Sequence, residues 1–108
     1  MKSKARLTAL LKKKILTLDG AMGTELQKRG MPSGVCPETW GLDHPEIVRA
    51  VHAAYAQAGS DIVYTNTFGA NRLKLAEYGL ADVRGINRRS AVLAREAVGR
   101  DVLDAGDI

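Results

Sequence analysis

The segment Asp-Gly-Ala-Met-Gly-Thr-Glu at residues 19–25 decides the fold prediction, because it directly follows the apolar run Ile-Leu-Thr-Leu at residues 15–18. A short apolar run that ends in a glycine-rich turn and a helix start is typical of an α/β protein. It places Asp19 at the carboxyl end of a first strand, beside the free backbone amides of residues 21–23 that open the next helix. A carboxylate next to free amides suits a zwitterion such as an amino acid. The alternative is that Asp19 only caps the following helix.

The rest of the chain alternates between helical and strand patterns. Apolar periodicity predicts helices over residues 3–13, 24–29, 44–58, 71–78 and 82–98, with Asp43 as the expected cap of the third and Gly59 at its end. Residues 33–42 are predicted to form a loop. Runs rich in β-branched residues predict strands over residues 61–67 and 102–106. The order βαβαβ implies a parallel sheet with right-handed crossovers.

Two parallel architectures fit this order. Half of a Rossmann fold expects G-x-G-x-x-G after the first strand, and this chain has only two glycines there, at residues 20 and 23. A (β/α)8 barrel instead places functional residues at the carboxyl ends of its strands, where this chain has Asp19, Asn66 with Thr67, and Asp107. We therefore predict the first three βα units of a (β/α)8 (TIM) barrel. The alternatives are that Asn66 and Thr67 only tie the following loop and that Asp107 only caps one.

Composition excludes several classes of function. The six lysines and arginines before Asp19 exceed the whole net charge of +4, so the remainder is slightly acidic and lacks a general nucleic-acid footprint. A single cysteine, Cys36, excludes an intramolecular disulfide and a multi-thiolate metal site, and we expect it to be structural. Neither His44, at a helix start, nor His52, on a packed helix face, has a metal-ligand partner at workable spacing. We expect a cytoplasmic protein that binds neither nucleic acid nor membrane, although a lysine-rich N-terminal helix leaves RNA or a membrane surface as a weak alternative.

Two strings carry a resemblance to a known family: Asp-Gly-Ala-Met-Gly-Thr at residues 19–24 and Thr-Asn-Thr-Phe-Gly-Ala at residues 65–70. Further matches are Pro-Glu-Ile-Val at residues 45–48, Tyr-Gly-Leu at residues 78–80 and Ala-Gly-Asp-Ile at residues 105–108. From about residue 15 to residue 108 the chain resembles the homocysteine S-methyltransferase family. Within that family it is most similar to the N-terminal module of bacterial cobalamin-dependent methionine synthases.

The resemblance implies a zinc-dependent barrel that methylates the thiolate of homocysteine to give methionine, with a corrinoid, betaine or S-methylmethionine as donor. It implies that Asp19 binds the substrate ammonium, that the amides of Gly20 and Ala21 face its carboxylate, and that Asn66, Thr67 and Asp107 lie near the barrel mouth. The zinc thiolates of the family come from later strands, so we expect neither catalytic nor metal-binding residues here.

A (β/α)8 barrel takes about 250 residues, and this chain has 108. We therefore expect residues 1–14 to form a basic amphipathic helix and residues 15–108 to form an N-terminal barrel segment. Such a segment would be inactive alone, self-associating through open sheet edges, with a corrinoid or folate methyl-donor module as a possible partner. The alternative function is a stand-alone α/β module that binds an amino acid or acts in assembly without catalysis.

Overall fold

The computed structural model describes residues 2–107 of the chain, with side chains from residue 4 onward. Met1 and Ile108 lie outside the described residues, so the part of the family string that falls on Ile108 is not described. The elements, in chain order, are α1 (Lys2–Lys13), α2 (Gly23–Lys28), α3 (Pro37–Asp43), α4 (Pro45–Gln57), β1 (Ile62–Tyr64), α5 (Arg72–Ala76), α6 (Val83–Ala97) and β2 (Leu103–Ala105).

The described sheet contains two parallel strands, with Ile62 opposite Leu103 and Tyr64 opposite Ala105. The strand predicted over residues 15–18 is wrong, since only Leu18 forms an isolated parallel bridge, to Ile62. The physical reason lies in Asp61, whose carboxylate accepts the Thr17 N–H at 3.0 Å, so that this amide makes no ladder bond. The segment still lies beside β1, on the side opposite β2, because the Asp19 N–H donates to the Ile62 carbonyl at 3.1 Å.

Helices cover one face of this sheet. Val63 is fully buried and packs with Ala94 and Val98 at the end of α6. Because side chains alternate along a strand, its neighbour Tyr64 points to the other face, where it is 37% exposed. The largest part of the core joins α2, α4 and α6 through Leu26, Met31, Val48, Val51 and Leu93. The architecture is therefore a mixed α/β arrangement with a small parallel sheet.

Two local predictions in the second quarter of the chain are wrong. Residues 37–43 form helix α3 and not a loop, because Pro37 occupies the first helical position, where its missing N–H costs nothing. Asp43 ends α3 and does not cap α4, which starts at Pro45 after His44 without a side-chain cap. Two later helices are capped in the ordinary way, α5 by Asn71 and α6 by Asp82.

Helix α1 lies at the edge of the sheet where the strands begin. The Lys14 ammonium pairs with Asp61, which precedes β1, at 2.6 Å, and the Arg6 guanidinium donates to the carbonyl of Arg100, which precedes β2. Helix α1 therefore does not cover the opposite end of the sheet, where the strands finish. None of the helices in the described part of the chain combines the length and the apolar character needed to cross a membrane.

Candidate functional site

A cavity of about 310 Å³ lies at the edge of the sheet where the strands end. Its walls come from the turn before α2, the start of α3, the segment after β1, and the residues after β2. All six residues that were predicted to bind substrate line this one cavity: Asp19, Gly20, Ala21, Asn66, Thr67 and Asp107. The structure therefore brings together residues that are as much as 88 positions apart in the sequence.

Asp19 occupies the base of the turn and ties it to β1. Its Oδ1 accepts the backbone N–H of Tyr64 at 3.1 Å. The residue before α2 is Met22, without a side-chain cap, so the alternative that Asp19 caps this helix is not supported. Burial raises the pKa of the Asp19 carboxyl above its ordinary value, the Tyr64 hydrogen bond opposes this, and the charge of Asp107 adds a smaller increase. The site thus holds a carboxylate that an opposite charge would stabilise.

The glycine-rich turn is held from below by a tyrosine of α4. The Tyr55 hydroxyl donates to the Ala21 carbonyl at 2.7 Å, and a Cβ placed on Gly20 would lie 3.0 Å from that hydroxyl oxygen. Gly20 therefore allows a close approach of backbone and ring, and the turn is fixed at two neighbouring residues. Apolar periodicity predicted the helix that carries Tyr55, but nothing local in the sequence indicated what its hydroxyl contacts.

The segment after β1 forms the second wall, and its polar side chains are already paired. The Thr65 and Thr67 hydroxyls lie 2.7 Å apart, and the Thr67 hydroxyl also accepts the Asp107 N–H at 3.1 Å. The Asn66 side-chain amide donates to the Pro37 carbonyl at 3.0 Å. Asn66 and Thr67 therefore tie the loop, as the alternative for them proposed, and both also line the cavity.

Sequence reasoning missed Glu38, which also lines the cavity. Its side chain is 4% exposed, and its carboxylate accepts the Gly69 N–H at 3.0 Å and the Cys36 thiol at 3.3 Å. A signal was present in the sequence, because a proline followed by an acidic residue is typical of the first turn of a helix. Cys36 is itself buried within the core, in accord with the structural role expected for it.

The charge of the cavity lining is negative. Three carboxylates line it, from Asp19, Glu38 and Asp107, and none of its lining residues is a lysine, arginine or histidine. Such a cavity attracts a cationic group. No group of three side chains suited to holding a metal ion occurs within residues 2–107, and the Cys36 thiol already donates a hydrogen bond to the Glu38 carboxylate. The described residues therefore offer no zinc site of their own, and the resemblance places the zinc ligands of the family on later strands. The negative lining of the cavity suits a cationic group such as an ammonium.

The profile of the family described as homocysteine S-methyltransferase matches residues 16–106 of the sequence. The chain belongs to the homocysteine S-methyltransferase family. This match covers most of the chain and includes every residue that lines the cavity except Asp107. The metallated form of the homocysteine methyltransferase MmuM from Escherichia coli is a structural neighbour with a TM-score of 0.75 and 33% sequence identity, covering 93% of this chain and 40% of that one. The apo form of the same enzyme gives a TM-score of 0.69 at 34% identity, over 94% of this chain and 39% of that one.

Two curated relatives are methionine synthases. The protein from Mycobacterium leprae is 37% identical over 94 residues, which is 79% of this chain and 8% of that protein. The protein from Mycobacterium tuberculosis is 35% identical over 95 residues, 80% of this chain and 8% of that protein. The relatives are methyltransferases, and this chain spans a small part of the methionine synthases and about two fifths of the MmuM chain.

Proposed function

We propose that this chain supplies the amino-acid-binding part of a homocysteine S-methyltransferase of the methionine synthase type. In this proposal residues 15–108 form the first three βα units of a (β/α)8 barrel, and residues 1–14 cover the end where its strands begin. The observation that supports it most is the cavity. It gathers the six predicted residues where β1 and β2 end, beside the segment that bridges to β1 through Leu18.

The proposed ligand is homocysteine, bound through its ammonium and carboxylate groups. Asp19 accepts a hydrogen bond from the ammonium. The positive charge of this group offsets the cost of burying the Asp19 carboxylate and, to a smaller extent, of holding it near Asp107. The amides of Gly20 and Ala21 face the ligand carboxylate, at a turn fixed by Tyr55. Asn66 and Thr67 shape the wall beside the ligand, because the Asn66 side-chain nitrogen and the Thr67 hydroxyl are hydrogen-bonded within the protein.

The proposed reaction transfers a methyl group from a donor to the homocysteine sulfur, giving methionine and the demethylated donor. A zinc ion in such enzymes would hold the sulfur as a thiolate nucleophile, and a corrinoid is the donor that the resemblance favours. Since residues 2–107 offer no zinc site, the part assigned to this chain is to bind and orient the amino-acid end of the substrate.

The substitution Asp19→Asn tests this assignment. Asparagine keeps an oxygen that accepts the Tyr64 N–H but carries no charge, so we expect weaker homocysteine binding and a nearly unchanged melting temperature. Loss of one charge-assisted hydrogen bond should cost about 1.5–3 kcal/mol, or roughly 10- to 150-fold in Kd. Asp101→Asn, at an exposed aspartate away from the cavity, is the matched control.

Titration calorimetry with the full chain would measure both variants and the effect of pH. As the pH falls, protonation of the Asp19 carboxylate should weaken homocysteine binding. Because the pKa of Asp19 is raised, this weakening should begin at a higher pH than it would with an aspartate of ordinary pKa. Equal affinity of the Asp19→Asn variant and the wild type would refute the assigned role. A large stability loss with unchanged affinity would instead favour a purely structural Asp19.

A further inference from the structure

A buried carboxylate joins the start of α3 to the loop that follows β1. The Glu38 side chain reaches from α3 to the Gly69 N–H, a contact between residues 31 positions apart. A Cβ on Gly69 would lie 3.1 Å from Glu38 Oε1, so the loop backbone lies directly against the carboxylate. The two oxygens of the carboxylate have different donors: Oε2 accepts the Gly69 N–H, and Oε1 accepts the Cys36 thiol at 3.3 Å. Glu38 thus fixes the position of Gly69 from inside the protein.

A second contact runs beside the first. The Asn66 side-chain amide donates to the carbonyl of Pro37, the residue before Glu38, at 3.0 Å. This contact needs a glycine in α3, because a Cβ on Gly41 would lie 2.6 Å from Asn66 Nδ2. Two consecutive residues of α3 therefore hold both ends of the segment 66–69. On the other side, the Thr67 hydroxyl accepts the N–H of Asp107, which connects the same segment to the end of β2.

We propose that Glu38 is a positioning residue, which holds residues 65–70 as the preformed wall of the cavity and does not bind the ligand charge itself. The proposal rests on the proposed function, in which that wall borders homocysteine. Both Glu38 oxygens accept hydrogen bonds from the protein and the side chain is 4% exposed, so the carboxylate has little surface left for a ligand ammonium. Asp19 then carries the ligand ammonium, and Glu38 fixes the loop.

Two substitutions separate positioning from direct binding. Glu38→Ala removes the acceptor of the Gly69 N–H and leaves it unpaired. Glu38→Gln removes the charge, yet its side-chain oxygen still accepts that N–H. We expect Glu38→Ala to speed hydrogen exchange of the Gly69 amide by about tenfold or more, since a hydrogen bond to a charged group is lost. The amide of Ala94, a fully buried residue of α6, serves as the internal control for the global fold.

The readouts are amide hydrogen exchange by NMR on the full chain and homocysteine affinity by calorimetry. We expect Glu38→Gln to keep most of the Gly69 protection and most of the wild-type affinity, while Glu38→Ala loses both and leaves Ala94 protected. Unchanged Gly69 exchange in Glu38→Ala would overturn the proposal. Loss of affinity in Glu38→Gln with Gly69 still protected would also overturn it, because the charge itself would then matter.

The two proposals fail separately in this experiment. If the wild type binds no homocysteine, but Gly69 exchange responds to alanine and not to glutamine, the proposed function is refuted and the role of Glu38 in holding the wall is supported. If homocysteine binds and neither variant changes Gly69 exchange, the proposed function survives and the role of Glu38 does not.

Discussion

His52 should make the stability of the fold depend on pH. Its side chain is fully buried in α4, and both ring nitrogens have no hydrogen-bond partner among the described residues. Burial lowers the pKa of His52 from 6.5 to about 4, while the nearby charge of Asp104 opposes this effect. The folded state therefore holds a neutral ring, and the unfolded chain binds a proton that the folded chain does not.

The size of the effect follows from the two pKa values. Between pH 6.5 and about pH 4 the unfolded state binds more protons, so the free energy of unfolding falls as the pH falls. At about 1.4 kcal/mol per pH unit, the full loss below pH 4 is about 3 kcal/mol, of which about 2 kcal/mol appears between pH 7 and pH 5. A loss of that size is a large part of the stability of a small domain.

Urea unfolding at pH 7 and pH 5, followed by far-ultraviolet circular dichroism, would test this in the wild type and in His52→Leu. Leucine fills a similar space without titrating, so the variant should lose the pH dependence in this range and keep its stability at pH 7. The difference between the two proteins is the quantity to compare, because Glu25 and Asp61, whose pKa values are lowered by their ion pairs, titrate at lower pH in both. An equal drop in stability in both proteins would refute the reasoning.

Three further predictions concern the cavity and the sheet. Gly20→Ala should weaken homocysteine binding measured by calorimetry, because the added Cβ would lie 3.0 Å from the Tyr55 hydroxyl oxygen. Gly23→Ala, whose Cβ would meet nothing within 4 Å, should bind like the wild type, and equal affinities of the two variants would contradict the prediction. Metal analysis of the dialysed 108-residue chain should find well under one zinc per chain, since residues 2–107 contain no suitable group of ligands, and a retained equivalent would contradict it. Light scattering should show concentration-dependent self-association, because Leu18 on the uncovered part of the sheet is 50% exposed and β2 has a free outer edge within the described residues. A molar mass that stays that of the monomer at every concentration would contradict it.

The helices were more predictable from the sequence than the strands. Apolar periodicity predicted α1, α4 and α6 to within a few residues, because a helix is specified by contacts along one segment. Strands depend on distant partners, and the run at residues 15–18 fails to pair fully because the Asp61 carboxylate takes the Thr17 N–H. Helix α3 was missed because it is short and its apolar pattern is weak, although Pro37 at its first position was a usable signal.

The cavity residues were predictable as a set but not in their individual contacts. Polar side chains after parallel strands meet at the end of the sheet where the strands finish, so the predicted topology was enough to bring Asp19, Asn66 and Asp107 together. Whether each faces a ligand or the protein depends on donors and acceptors elsewhere in the chain. Asn66 is paired with Pro37, 29 positions away, and no local pattern in the sequence indicates that contact.

The carboxylates of the cavity are divided between two tasks. Glu38 has both oxygens hydrogen-bonded to the protein, so they serve to hold the loop. Asp19 has one oxygen hydrogen-bonded to the Tyr64 N–H, and its pKa is raised by burial and by the charge of Asp107. Without a ligand of opposite charge, the ionised form of Asp19 is therefore held at a cost in free energy. A group held at such a cost is typical of a binding site, since a ligand of opposite charge removes the cost when it binds. The free energy that Asp19 contributes to binding should therefore exceed what it contributes to folding, and the reverse should hold for Glu38.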